Sequence, residues 1–249
     1  MAGISGLATL GSLGLYTSTA SPAAGLTIGQ LVWDGKTGKA FRYVLNGGAA
    51  LVTGNLLQEA VEDTTYENMA IGTAGVVGDA YLQVTNGTAT ITSDQFKGGT
   101  INAYTAGTVA VGDEYTITAV TGTLTTGGAL KVWLDRPLRY AYTTNAKVNM
   151  NESPWSGVIQ APATTQTGMA VGVAIYPIAL SQYGWIQTHG VCSVLSDGST
   201  FAVGSDVGTP SGTAGCVTVY AAGTTHQRVG VVRQAAASAH CITALLQID

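Results

Sequence analysis

Apolar and polar positions alternate with a period of two in several stretches of the chain, and there the sequence predicts strands. Leu130, Val132 and Leu134 alternate with Lys131, Trp133 and Asp135, which places three aliphatic side chains on one face. Met169, Val171, Val173 and Ile175 alternate with Ala170, Gly172, Ala174 and Tyr176. The glycine inside that run marks a bulge or a close backbone approach. Val229, Val231 and Val232, and then residues 242–248, read as strand as well. Asn86-Gly87, between the Thr-, Val- and Ile-rich residues 80–85 and 88–92, predicts a two-residue hairpin.

Turn residues recur at Asp34-Gly35, Asn46-Gly47-Gly48, Asp197-Gly198 and Pro210-Ser211-Gly212. A further echo is Val-x-Gly-polar at Val52-Thr53-Gly54-Asn55, closed up to Val77-Gly78-Asp79, Val111-Gly112-Asp113 and Val203-Gly204-Ser205. Each echo is expected to be a tight turn feeding a strand, and its irregular period does not make a solenoid. Only residues 55–69 have a helical look, with Leu56, Leu57, Ala60 and Val61 clustered against Glu59, Glu62 and Asp63. Thr64 and Thr65 keep any helix there short.

Short strands with frequent turns predict an all-β fold of sandwich or barrel-like modules with little helix. The expected division is an extended N-terminal arm over 1–30, a first β-rich module over 31–140, a polar linker over 141–156 and a second β-rich module over 157–249. The two modules could be related to one another. The arm lacks a clean helical or strand period, and it is expected to be held by its own domain or, our preferred expectation, by a neighbouring subunit.

Composition narrows the function. Of 249 residues only 10% are charged, and ten Lys and Arg against fourteen Asp and Glu leave a net charge of −4. That charge gives no source for the counterion release that dominates nucleic-acid binding. Hydrophobic residues at 46% are too many for a disordered acidic tail. The first charged residue is Asp34, so the opening lacks the positive region of a secretory signal, and no run predicts a membrane helix. Cys192, Cys216 and Cys241 are 24 and 25 positions apart, and buried, reduced thiols in a cytoplasmically assembled protein are expected.

Catalytic chemistry finds no pattern to stand on. His189, Cys192, Cys216, His226, His240 and Cys241 lack zinc spacing, so no metal or other cofactor is expected. Cys192 near His189 is only an adjacency in sequence, no G-x-S-x-G elbow occurs, and Asp113 and Glu114 should point to opposite faces of a strand. Gly72, Gly75 and Gly78 make no phosphate cradle. The chain is therefore not expected to be an enzyme. Tyr183 and Trp185, two apart on one strand face and joined by Trp155, are the candidate contact for a glycan or a protein partner.

Several phrases together resemble virion-associated head decoration, or cement, proteins of tailed bacteriophages, usually encoded near the major capsid protein. They are GQLVWDGKTGKAFRYVLNGGAALVTGNLLQ (29–58), GGTINAYTAGTVAVGDEYTI (98–117), WLDRPL (133–138), NESPWSGVI (151–159) and YGWIQTHG (183–190). The likeness covers most of the chain beyond the arm and carries no catalytic signature. It implies a structural role on the outer capsid surface, with the major capsid protein and like subunits as partners, most often in a homotrimer. It implies no direct contact with nucleic acid or membrane. A phage head fibre, knob or tail-associated protein that binds host surface glycans is the alternative.

Overall fold

The computed structural model describes residues 14–87, 89–92, 94–105, 111–222, 225–234 and 240–249. The chain is all-β, and the one helical element among these residues is a single 3₁₀ turn at Thr64–Tyr66, capped by Asp63, whose side chain accepts from the Thr65 N–H. No helix among them is long and apolar enough to cross a membrane.

The strands fall into two compact units, and one is inserted into the other: residues 62–153 form the inserted unit, and the chain on both sides of it forms the second. The inserted unit is a closed six-stranded barrel. Its strands are β4 (Met69–Thr73), β5 (Tyr81–Thr85), β6 (Thr100–Thr105), β7 (Glu114–Gly122), β8 (Ala129–Leu134) and β9 (Lys147–Asn151), in the order β4-β5-β8-β7-β6-β9. Closure leaves no unpaired sheet edge. The barrel's core includes Leu82, Val84, Phe96, Ile101, Tyr115, Leu130, Val132, Val148 and Met150.

The second unit holds β1 (Leu31–Asp34), β2 (Lys39–Leu45), β3 (Leu56–Gln58), β10 (Ile159–Gln160), β11 (Ala170–Ala174), β12 (Tyr183–Leu195), β13 (Asp206–Gly208), β14 (Thr218–Val219), β15 (Arg228–Gln234) and β16 (Cys241–Gln247). They form one sheet in the order β10-β3-β11-β12-β16-β15-β13-β14, to which β2 adds along β12 and β1 along β2. The 13-residue β12 is its spine, pairing β2 at its start and β16 at its end.

This nesting corrects the expected division of the chain. Residues 141–156 are no linker, because β9 lies within them and closes the barrel by pairing with both β4 and β6. Their polar look comes from a strand with one face outward. The expected 31–140 module is likewise split, since β2 and β3 pair with β12 and β11 from the far end of the sequence. The different strand orders also give the two units no common plan.

Other local expectations divide. β8 buries Leu130, Val132 and Leu134 as its alternation predicts. In β11 the register slips between Ala170 and Gly172, and a Cβ at 172 would lie 2.9 Å from the Gln187 carbonyl oxygen, so the glycine marks both a bulge and a close approach. Asn86-Gly87 does not make a hairpin: β5 pairs with β4 and β8. Asn86 is buried instead and its amide donates to the carbonyls of Ala89, Leu124 and Thr125, tying loops together. Residues 55–69 are not helical; Leu56 and Leu57 are buried in β3, and the 3₁₀ turn is all that remains of the helical look.

The Val-Gly-polar echo is a shared turn. In residues 52–55, 76–79 and 202–205 the last N–H donates to the first carbonyl at 3.0, 3.1 and 3.1 Å. The third residue is Gly54, Gly78 or Gly204 at φ 86, 97 or 84°, a left-handed conformation that a type II turn needs and glycine supplies. Asn55 and Asp79 complete their turns by accepting, through side-chain oxygens, the N–H of Val52 and Val76 at 2.9 Å. These turns lead into β3, β5 and β13. Val111-Gly112-Asp113, with Gly112 at φ 83°, leads into β7 in the same way.

Candidate functional site

Tyr183 and Trp185 do share a face, and that face is covered. Antiparallel pairing sets Tyr43 opposite Trp185, and their rings lie 5.2 Å apart at 56°, while Tyr43 stacks on Tyr183 at 6.0 Å and 16°. Leu15 and Phe41 complete the nest, and Trp185 is only 1% exposed. Residues 14–30 lie along it: Thr19 and Tyr183 exchange backbone hydrogen bonds of 3.0 and 2.8 Å, and the Ala23 N–H donates to the Tyr43 hydroxyl at 3.0 Å. A cleft of about 170 Å³ remains between them, lined by Gly14, Thr17, Leu26, Tyr43, Tyr183 and Trp185 among others. The described part of the expected arm is thus held by its own unit; residues 1–13 lie outside the described residues.

Trp155 does not join this group. It packs on the cluster containing Val44, Val158 and Ile186, whose strand positions alternate with those of Tyr43 and Trp185. Arg42 sits 4.7 Å over its ring, donates to the Gly29 carbonyl at 2.7 Å and pairs through two nitrogens with Asp249 at 2.7 and 3.0 Å. Burial alone would raise the Asp249 pKa, but the hydrogen bond and charge from Arg42 outweigh it and hold the carboxyl below its usual value. Trp155, beside a structural arginine, therefore packs apart from Tyr183 and Trp185.

Cys192 is buried in the sheet core, and desolvation pushes its thiol up to about 12. His189 instead places Nδ1 3.1 Å from the Asp249 carbonyl oxygen and its ring 5.4 Å from Trp33. Asp113 is buried and Glu114 exposed, on opposite faces as expected. Among the described residues no three His, Cys, Asp or Glu side chains gather as metal ligands.

The inserted barrel presents two further exposed surfaces. At the end that carries the loops after β4 and β8, Val76, Val77 and Tyr140 are 60, 64 and 42% exposed. Backbone bonds fix their loops on either side of them: Gly75 and Tyr142 exchange two of 2.9 Å, the Gly78 N–H reaches Leu138 at 2.9 Å, and Leu138 reaches Asp79 at 2.9 Å. Behind them Asp113 accepts from Arg139 and, at 3.2 Å, from the Tyr142 hydroxyl, while the Arg139 N–H donates to the Tyr115 hydroxyl at 2.7 Å. Burial first, and then the Asp113 charge, raise the Tyr142 phenol well above its ordinary pKa.

On the barrel wall, Tyr81 and Trp133 are cross-strand partners with ring centroids 5.1 Å apart at 51°. Trp133 is 37% exposed. The sequence held the signal for this pair, since burying Leu130, Val132 and Leu134 turns Lys131 and Trp133 outward.

No family model, curated protein or solved structure matches the chain.

Proposed function

We propose that the chain is a structural virion protein that decorates and stabilises the outer surface of a tailed-phage capsid, through contacts with the major capsid protein and with like subunits in a homotrimer. The observation that carries this reading is the spread of the decoration-protein phrases over both units. They fall on β1 to β3, on β6 and the start of β7, on the end of β8, on the connection from β9 to β10 and on the first half of β12, the strands and turns that build the framework. A likeness held by framework supports a structural role more than a catalytic one. The barrel end with Val76, Val77 and Tyr140 offers apolar contact area on loops already fixed by hydrogen bonds, which lowers the entropy cost of docking. A charged fraction of 10% suits extensive subunit contacts, and a net charge of −4 suits the outside of a DNA-filled shell.

Quantitative mass spectrometry of purified virions tests this. A copy number that is a simple fraction of the shell subunit's supports lattice decoration; a handful of copies moves the chain to tail, neck or fibre; absence discards the virion role. The glycan-binding fibre or knob is a second reading, favoured by one observation, the outward Tyr81–Trp133 pair.

A further inference from the structure

We propose that the wall of the inserted barrel centred on Trp133, Lys131 and Tyr81 binds an acidic polysaccharide, with a sugar ring stacked on the indole and a uronate-type carboxylate paired with the Lys131 ammonium. The inference rests on the second reading above and gives it a face and a ligand class.

Register assembles the patch. Trp133 lies between Tyr81 on β5 and Ala119 on β7, and Lys131 lies between Gln83 and Thr121 on the same two strands. Six neighbouring positions therefore contain two aromatic rings, one cation, one amide and two hydroxyls, one of them the Tyr81 phenol. The indole is held on two sides: its N–H donates to Thr121 Oγ1 at 3.0 Å, and Tyr81 lies against it. With the ring N–H donated to Thr121 on the neighbouring strand, the exposed remainder of the indole is apolar surface. A fixed, partly exposed aromatic plane is what the C–H face of a pyranose stacks on, with little side-chain entropy left to lose.

Charge selects among sugars. Lys131 Nζ lies 5.0 Å from the Tyr81 ring centroid, a cation–π contact that holds the ammonium at the ring packed against the indole. Its register neighbours Gln83 and Thr121 are uncharged, and Lys131 forms none of the ion pairs found among the described residues. An unpaired cation between two neutral hydrogen-bonding side chains complements a carboxylate bordered by hydroxyls. One lysine is too little for a phosphate backbone, which needs a stripe of cations.

The test uses the full-length protein in isothermal titration calorimetry against polygalacturonate oligosaccharides, with dextran oligosaccharides as the neutral counterpart. Saturable binding to polygalacturonate is expected, weakening as salt rises. Trp133→Ala should weaken it at least about tenfold, and Lys131→Gln about tenfold with loss of the preference over dextran. Trp33→Ala, at the exposed Trp33 of the other unit, should leave it unchanged. If Trp133→Ala fails to fold, the fully outward Lys131→Gln carries the test. Equal binding of dextran and polygalacturonate, lost in Trp133→Ala, overturns the acidic ligand while leaving glycan binding standing. Binding indifferent to both substitutions, or no binding to either sugar, overturns the site.

Discussion

Replacing Trp185 by alanine separates a packed core from a contact platform. The indole is 1% exposed and is packed with Leu15, Phe41 and Tyr43. Truncating a buried tryptophan costs about 3–5 kcal/mol, through lost transfer energy and the cavity left behind. The neighbouring cleft of about 170 Å³ moves the expectation to the low end of that range, because surrounding side chains and water have room to relax into the space the indole leaves. We expect a loss of ~3 kcal/mol. For a unit of this size it lowers the unfolding midpoint by roughly 6–12 °C. Urea titration followed by circular dichroism measures the loss, and hydrogen exchange locates it. Amides of β2, β12 and the Thr19–Tyr183 pair should lose protection first, while the barrel, which has its own core, keeps its protection. A loss under about 1 kcal/mol, or one shared equally with the barrel, would refute the packing argument. The same result bears on glycan assays, since binding lost in Trp185→Ala would report damage to the nest rather than a missing contact.

Further outcomes follow from the same geometry. Met150→Ala, in β9, should cost about 2–4 kcal/mol by denaturant titration, because Met150 is 3% exposed within the barrel core; a linker residue would cost nothing measurable. Gly204→Ala meets no atom within 4 Å yet sits at φ 84°, so it should cost about 1–2 kcal/mol from backbone strain alone, and Gly204→Asn less. The Asp249 carboxyl is held below its ordinary value by Arg42, so the stability from this pair is complete above the unfolded pKa, near 3.8, and is lost as pH falls through the folded one. Acid titration of stability should therefore lose its Asp249 component in Arg42→Gln, and an identical acid limb in wild type and variant would count against the pairing.

The turns were legible because each is local. Gly54, Gly78 and Gly204 with their polar followers contain within four residues both the left-handed conformation and the hydrogen bonds that the turn requires. The alternation in β8 was legible for the same reason, and it already implied an outward Trp133. Asn86-Gly87 misled because the Asn86 amide is engaged by the Ala89 carbonyl in its own loop and by the Leu124 and Thr125 carbonyls of the β7–β8 loop, a long-range tie that a local hairpin reading does not contain. The helical pattern of residues 55–69 failed because Leu56 and Leu57 gain more as buried positions of β3, between β10 and β11, than as one face of a short helix.

The sequence by itself determined an all-β chain, the places where it turns and the faces that strands such as β8 present, since these depend on neighbours a few positions away. The nesting of one unit within the other was decided only by the tertiary structure. It rests on β2 finding β12 and β9 finding β4, pairings in which any strand of suitable pattern could compete. The fate of the aromatics was decided there too. Tyr183 and Trp185 share a face by local geometry, but residues 14–30 cover them, whereas Trp133 and Tyr81 lie outward on a wall whose other side is the barrel core. Local chemistry fixes where a side chain points along its own strand; only long-range packing fixes whether protein or solvent lies in that direction.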